Sequence, residues 1–103
     1  MEDLHNIFTE FKKEFPQVYA RHEALGKEIH EISGGPLPEK IRWLIKIAIS
    51  GAAGQERALE THIRKAQEAL ATDSEIKHAL LLLITTTGFP AFMKAYSIYK
   101  NIR

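Results

Sequence analysis

The chain has 103 residues, no cysteine and a nearly balanced charge, with 14 lysines and arginines against 13 aspartates and glutamates. This length suits one domain that builds its own hydrophobic core. Without cysteine, the chain's own residues cannot form disulfide bonds or thiolate metal sites. A net charge of +1 without a basic block argues against a nucleic-acid-binding surface.

The sequence contains no segment typical of a secretory signal or a membrane span. The start, MEDLHNIF, has acidic residues where a signal peptide carries basic ones. The longest uncharged stretch, 79–93, is shorter than the roughly 18–20 residues of a membrane span and contains Gly88 and Pro90. We therefore expect a cytoplasmic protein. Its 45% hydrophobic content favours association with copies of itself.

The first third of the chain has an apolar pattern of helical period. Steps of four and three residues connect Leu4, Phe8, Phe11, Phe15, Val18, His22, Leu25, Ile29 and Ile32. Because proline is tolerated in the first turn of a helix, Pro16 predicts two helices, about 2–14 and 16–32, or one helix kinked there. This apolar seam either packs on the rest of the domain, which we favour, or pairs with another chain as a coiled coil.

Four more helices are predicted after the break SGGPLP at 33–38, over about 38–50, 55–70, 73–87 and 90–101. No segment alternates with period two, as strands do. We predict an all-α fold of about six helices in a single domain, 1–103. Within it, 1–33 is an N-terminal lead-in and 38–103 the core.

The fifth predicted helix is expected to be the central core element. It begins with TDSE at 72–75, a capping box in which Thr72 and Glu75 satisfy each other's backbone amides. Residues 79–84 are apolar on all sides, which is typical of a buried helix.

His62 is the histidine with a candidate chemical role. It shares a helix face with Gln55 and Ala58, near a helix start and close in sequence to Glu56 and Glu60. An inward-facing histidine there can act as a general acid or base. The alternative, a core histidine satisfied by a backbone carbonyl, is at least as compatible with the residues. No metal-binding or phosphate-loop motif is present, so we expect no metal and no cofactor.

From residue 39 onward the sequence resembles the carboxymuconolactone decarboxylase family, also called alkylhydroperoxidase D-like. The resemblance rests on EKIRWLIKIA (39–48), Gly54, ETHIRKA (60–66), ATDSEI (71–76) and GFPA (88–91), in order and without gaps. It implies a multi-helical fold that assembles as homotrimers or hexamers, usually in the cytoplasm. The family's usual glycine at the end of the fourth helix is Leu70 here, which predicts a different turn.

The resemblance also implies a site. The family's redox branch uses Cys-x-x-Cys-x-x-x-His with a glutamate on the preceding helix. Position by position, the cysteines fall on Gln55 and Ala58, the glutamate falls on Trp43, and the histidine is kept as His62. Without thiols, peroxidase and disulfide reductase activities are excluded. His62 is the candidate catalytic residue, and the other three positions are expected to contact substrate.

Two hypotheses on function follow from the resemblance. One is a lyase or isomerase acting on a small organic (lactone) acid, as in the decarboxylase branch, with His62 as acid-base group and Gln55 orienting substrate. Lys46 or Arg42 would then supply a positive charge for a carboxylate. The other is a non-catalytic, oligomeric ligand- or partner-binding member, suggested by the loss of the glutamate and both cysteines together. The chain is an enzyme under the first hypothesis only.

Overall fold

The computed structural model describes residues 4–32 and 34–102, and these residues form helices, turns and loops with no strand. Its α-helices are α1 (Leu4–Glu14), α2 (Pro16–Lys27), α3 (Glu39–Ala53), α4 (Glu56–Glu68), α5 (Asp73–Leu81) and α6 (Phe89–Ile102). The all-α prediction with six helices is confirmed. None of these helices has both the length and the apolar character needed to cross a membrane. The chain divides into two compact units, the first ending at Pro36 and the second beginning at Leu37.

The first unit contains α1 and α2, followed by a π-helical turn, Glu28–Ile32. Of the two alternatives at Pro16, two helices are observed: α1 ends at Glu14 and the proline occupies the first turn of α2. Aromatic rings pack between the helices, with Phe8 edge-on to Tyr19 at 5.8 Å between ring centroids. Much of the predicted apolar seam is exposed in the single chain, by 46–58% at Phe8, Phe15, Val18, Leu25 and Ile29. The coiled-coil alternative stays a prediction.

The second unit contains α3 to α6 around one apolar core. Its buried side chains are Ile47, Leu59, Ile63, Ala66, Ile76, Leu80, Leu83, Ala95 and Tyr99. Tyr99 is the largest of them, and its hydroxyl donates to Asp73 Oδ1 at 2.5 Å, which ties α6 to the start of α5. This bond satisfies the one polar atom of an otherwise apolar buried ring.

The predicted capping box at the start of α5 is confirmed. The Thr72 amide donates to Glu75 Oε1 at 2.8 Å, and the Glu75 amide donates to Thr72 Oγ1 at 3.1 Å. Lys40 Nζ lies 3.0 Å from Glu75 Oε2, so the same carboxylate connects the first turns of α3 and α5. The bond from the Thr72 amide, followed by that from Lys40, holds the pKa of Glu75 below its ordinary value.

The fifth helix ends earlier than predicted. It stops at Leu81, and residues 82–87 form consecutive turns. After Leu81, the amides of Leu83, Ile84 and Thr86 donate to the carbonyls three residues back, at 3.0–3.1 Å. The threonines at 85–87 favour such turns, since hydroxyl side chains bond to the nearby backbone: the Thr87 hydroxyl donates to the Leu83 carbonyl at 3.2 Å. The apolar stretch is also not buried all round, because Leu81 and Leu82 are about half exposed.

Leu70 forms the left-handed turn that ends α4. Its φ is 69°, and its side chain is 83% exposed. The Ala71 amide donates to the Ala66 carbonyl at 2.9 Å and the Leu70 amide donates to the Gln67 carbonyl at 3.0 Å, the two bonds of a Schellman motif. The expectation of a different turn is therefore wrong: leucine adopts the conformation that glycine favours.

We predict that Leu70→Gly stabilises the protein. Removing the Cβ relieves a left-handed strain of roughly 1–2 kcal/mol, partly offset by the greater freedom of glycine in the unfolded chain, for a net gain of about 0.5–1 kcal/mol. Urea unfolding measures the change in free energy. Leu70→Ala is the control: it keeps the Cβ and should give no gain. Equal stabilisation by both variants would contradict the strain argument.

Candidate functional site

The site is built around His62, which α4 holds against α3. The half-buried imidazole places Nδ1 3.2 Å from the Lys46 carbonyl oxygen and 3.1 Å from Ser50 Oγ. Ser50 is itself 3% exposed, and its hydroxyl lies 2.7 Å from the same Lys46 carbonyl, one helical turn back on α3. One ring nitrogen therefore faces two oxygens of a single turn of α3.

This network assigns the imidazole proton. The Ser50 hydroxyl has one hydrogen, which it donates to the Lys46 carbonyl, or to that of Ile47 at 3.2 Å, so its oxygen remains an acceptor. Nδ1 thus faces two oxygens that have no hydrogen to offer it, so Nδ1 carries the proton and donates. In the neutral ring, the proton on Nδ1 makes Nε2 the basic nitrogen.

Trp43 and Lys46 complete this cluster on α3. The Trp43 and His62 ring centroids are 5.7 Å apart with the rings tilted by 36°. Lys46 Nζ lies 5.1 Å from the centroid of the Trp43 ring, a cation–π contact. Trp43, Lys46 and Ser50 are spaced by three and four residues, which puts them on one face of α3.

The other charged residues considered near the site have partners of their own. Glu60 pairs with Arg64 at 3.1 Å, and Glu56 pairs with Lys94 at 3.3 Å. Arg42 donates to the Leu37 carbonyl at 2.6 Å, before the start of α3. Of the two cations predicted to receive a carboxylate, Lys46 is the one next to the His62 cluster, through its cation–π contact with Trp43.

Gln55 lies beside this cluster, and Ser50 is the one cluster residue that lines the same depression as Gln55. Gln55 occupies the N-cap position of α4, is exposed, and makes no side-chain capping bond. It lines a depression too narrow to admit a water molecule, whose other walls are Ser50, Gly51, Gly54, Leu59, Lys94, Ala95 and Ile98. Ser50 belongs to both places. Ala58 is half-buried on α4, one turn before His62.

Ser50 is the site residue that the sequence interpretation missed. It is the last residue of the predicted helix 38–50, and it follows Trp43 by seven residues and Lys46 by four. A small hydroxyl residue at that helical spacing from the tryptophan would have indicated it. The described residues contain no group of three or more metal-ligating side chains placed to hold a metal ion.

Similarity to known proteins identifies the family of this chain. A model of the carboxymuconolactone decarboxylase family matches residues 16–101. The chain belongs to this family. The match begins in α2, upstream of the motifs that first suggested the relationship. The matched range includes α3 and α4, the helices that carry Trp43, Ser50 and His62.

Two relatives from Methanocaldococcus jannaschii are similar over most of their length. The uncharacterized protein MJ1511 is 33% identical over 84 residues, which is 82% of this chain and 77% of that protein. The uncharacterized protein MJ0742 is 30% identical over 92 residues, which is 88% of this chain and 86% of that protein. These similarities extend the family relationship without naming an activity.

We predict that the emission of Trp43 reports the protonation of His62. Trp43 is the sole tryptophan, and a protonated imidazole 5.7 Å away quenches an indole more strongly than a neutral one. Emission should fall on acidification as the imidazole becomes protonated. The change should disappear in His62→Gln and persist in His78→Gln, an exposed histidine on α5. A profile that survives His62→Gln would refute the assignment.

Proposed function

We propose that this member of the carboxymuconolactone decarboxylase family catalyses acid–base chemistry on a small organic acid, with His62 as the proton-transfer group. The observation that carries the proposal is the anchoring of Nδ1 by the Lys46 carbonyl and Ser50 Oγ. Such an anchor orients the imidazole and makes Nε2 its basic nitrogen, the arrangement that a general base requires.

The neighbouring side chains suit an anionic substrate. The Lys46 ammonium binds a carboxylate or stabilises the negative charge that develops when a proton or carbon dioxide leaves. The Trp43 ring offers a planar apolar surface to the carbon skeleton. In an isomerisation, His62 removes a proton from the carbon beside a carbonyl and returns it to another carbon of the same molecule. In a decarboxylation, the protonated ring donates a proton taken from solvent to the carbon whose bond to the departing carboxylate has broken, and carbon dioxide leaves.

We predict that His62→Gln lowers kcat at least about a hundredfold for any acid that the wild type turns over, the range of a lost general base. The assay follows decarboxylation and deuterium exchange on a panel of small lactone acids by NMR. His22→Gln, at an exposed histidine on α2, serves as the matched control and should retain full activity. A kcat for His62→Gln close to that of the wild type would overturn the proposal.

A second candidate function is a non-catalytic, ligand- or partner-binding member. It is favoured by Trp43 standing where the family's redox branch has a glutamate, and by the carbonyl bond at Nδ1, which also suits a purely structural histidine. Binding of a lactone acid without turnover, in the same panel, would favour this function over catalysis. The chain has no cysteine, so we do not propose a thiol peroxidase activity.

We further propose that the protein works in the cytoplasm as a homo-oligomer, a trimer or hexamer. The support is a groove of about 350 Å³ between α3 and α5, lined by Ile41, Leu44, Ile45, Ala48, Ile49, Glu75, His78, Ala79 and Leu82. Ile45, Ile49 and Leu82 are 41–62% exposed in the single chain. Apolar surface of this kind commonly marks a protein interface.

We predict that Ile45→Asp dissociates the oligomer, because a carboxylate buried in an apolar interface loses its hydration. Analytical ultracentrifugation should find the wild type as a trimer or hexamer and this variant as a monomer, with helical content unchanged by circular dichroism. Met93→Asp is the control: Met93 on α6 is similarly exposed and outside the groove. A wild type that sediments as a monomer would refute the proposal.

A further inference from the structure

We propose that Ser50 is a positioning residue for His62, which selects the tautomer with the proton on Nδ1. Its effect on the reaction rests on the proposed function, whereas its effect on the imidazole does not. The juxtaposition is that of a buried hydroxyl on α3 and a ring nitrogen on α4, 3.1 Å apart.

The two acceptors near Nδ1, the Lys46 carbonyl and Ser50 Oγ, differ in the number of hydrogen bonds that they already accept. In a helix, the carbonyl of residue 46 accepts from the amide of residue 50, and here it also accepts from the Ser50 hydroxyl at 2.7 Å. These two bonds occupy both of its lone pairs. Ser50 Oγ has donated its hydrogen and keeps its own lone pairs, so it is the better acceptor for the imidazole N–H.

The surroundings keep the hydroxyl in this role. Ser50 is 3% exposed and lines a depression too narrow for water, so its hydroxyl bonds to the protein. The next residue, Gly51, packs closely against α6 and the turns after α5: a Cβ added there would lie 3.4 Å from the Ala95 Cβ on α6 and 3.0 Å from Leu83 Cδ1. This close packing fixes the turn of α3 that carries Ser50, and the imidazole meets an acceptor that is already in place.

The experiment measures the tautomer of His62 directly, from the ¹⁵N shifts of its ring nitrogens in labelled protein. Wild type should have the proton on Nδ1. Ser50→Ala should lower the ratio of the Nδ1–H to the Nε2–H form about fivefold to tenfold, as loss of one ordinary hydrogen bond predicts. Ser50→Cys, which keeps a side chain of similar size but accepts weakly, should act like Ala, and Ser50→Thr should keep the wild-type ratio.

Kinetics on the same variants separates this proposal from the proposed function. Where the protein turns over a lactone acid, Ser50→Ala should lower kcat about tenfold, as removal of an outer hydrogen-bond partner does for other functional histidines, with KM little changed. No turnover by wild type, with the tautomer ratio shifting as expected, defeats the proposed function alone. An active wild type whose ratio is the same in Ser50→Ala and Ser50→Cys defeats the role of Ser50, since the Lys46 carbonyl then suffices.

Discussion

The hydrogen bond from His62 Nδ1 to α3 is the interaction on which the site depends. The turn at Gly54 brings its donor and acceptors together. Gly54 has a φ of 71° and donates its amide to the Gly51 carbonyl, which ends α3. The chain then reverses into α4, so that Lys46 and His62, each eight residues from Gly54, lie opposite each other. A residue with a Cβ is strained at that φ, and any shift of the turn would move the imidazole away from its acceptors.

The substitution at Trp43 changes the electrostatics of this site as well as its shape. Where the family's redox branch places a carboxylate, this chain has an indole with the Lys46 ammonium against it. The ammonium attracts anions. The site therefore suits an anionic ligand, and thiol chemistry has no residue to carry it. Both features agree with the proposed acid–base chemistry on an organic acid.

The sequence patterns were sufficient to predict that six helices form. They were insufficient to predict contacts between residues of two different helices. The capping box at Thr72 and the break at Pro16 are local features, encoded within a few residues, and both were predicted correctly. The end of α5 was predicted wrongly, because the helix was extended through the apolar residues 79–84 and the threonines that follow them. The spacing of Ser50 places it on the face of α3 that carries Trp43 and Lys46, but its bond to His62 was not predictable, because that partner is twelve residues away across a turn. Leu70 shows a further limit: tertiary structure holds a leucine in a conformation that its own preferences oppose.

The two faces of α3 connect the site to the exposed apolar surface. Trp43, Lys46 and Ser50 face α4, while Ile45 and Ile49 line the groove with α5. Among the described residues, nine apolar side chains are buried and fifteen large ones are exposed, so a single chain gains little of the burial that its composition allows. Under the proposed assembly, a neighbouring subunit covers the groove and fixes α3 from that side. The acceptors of His62 belong to the same helix, so association would stabilise the geometry of the site along with the fold.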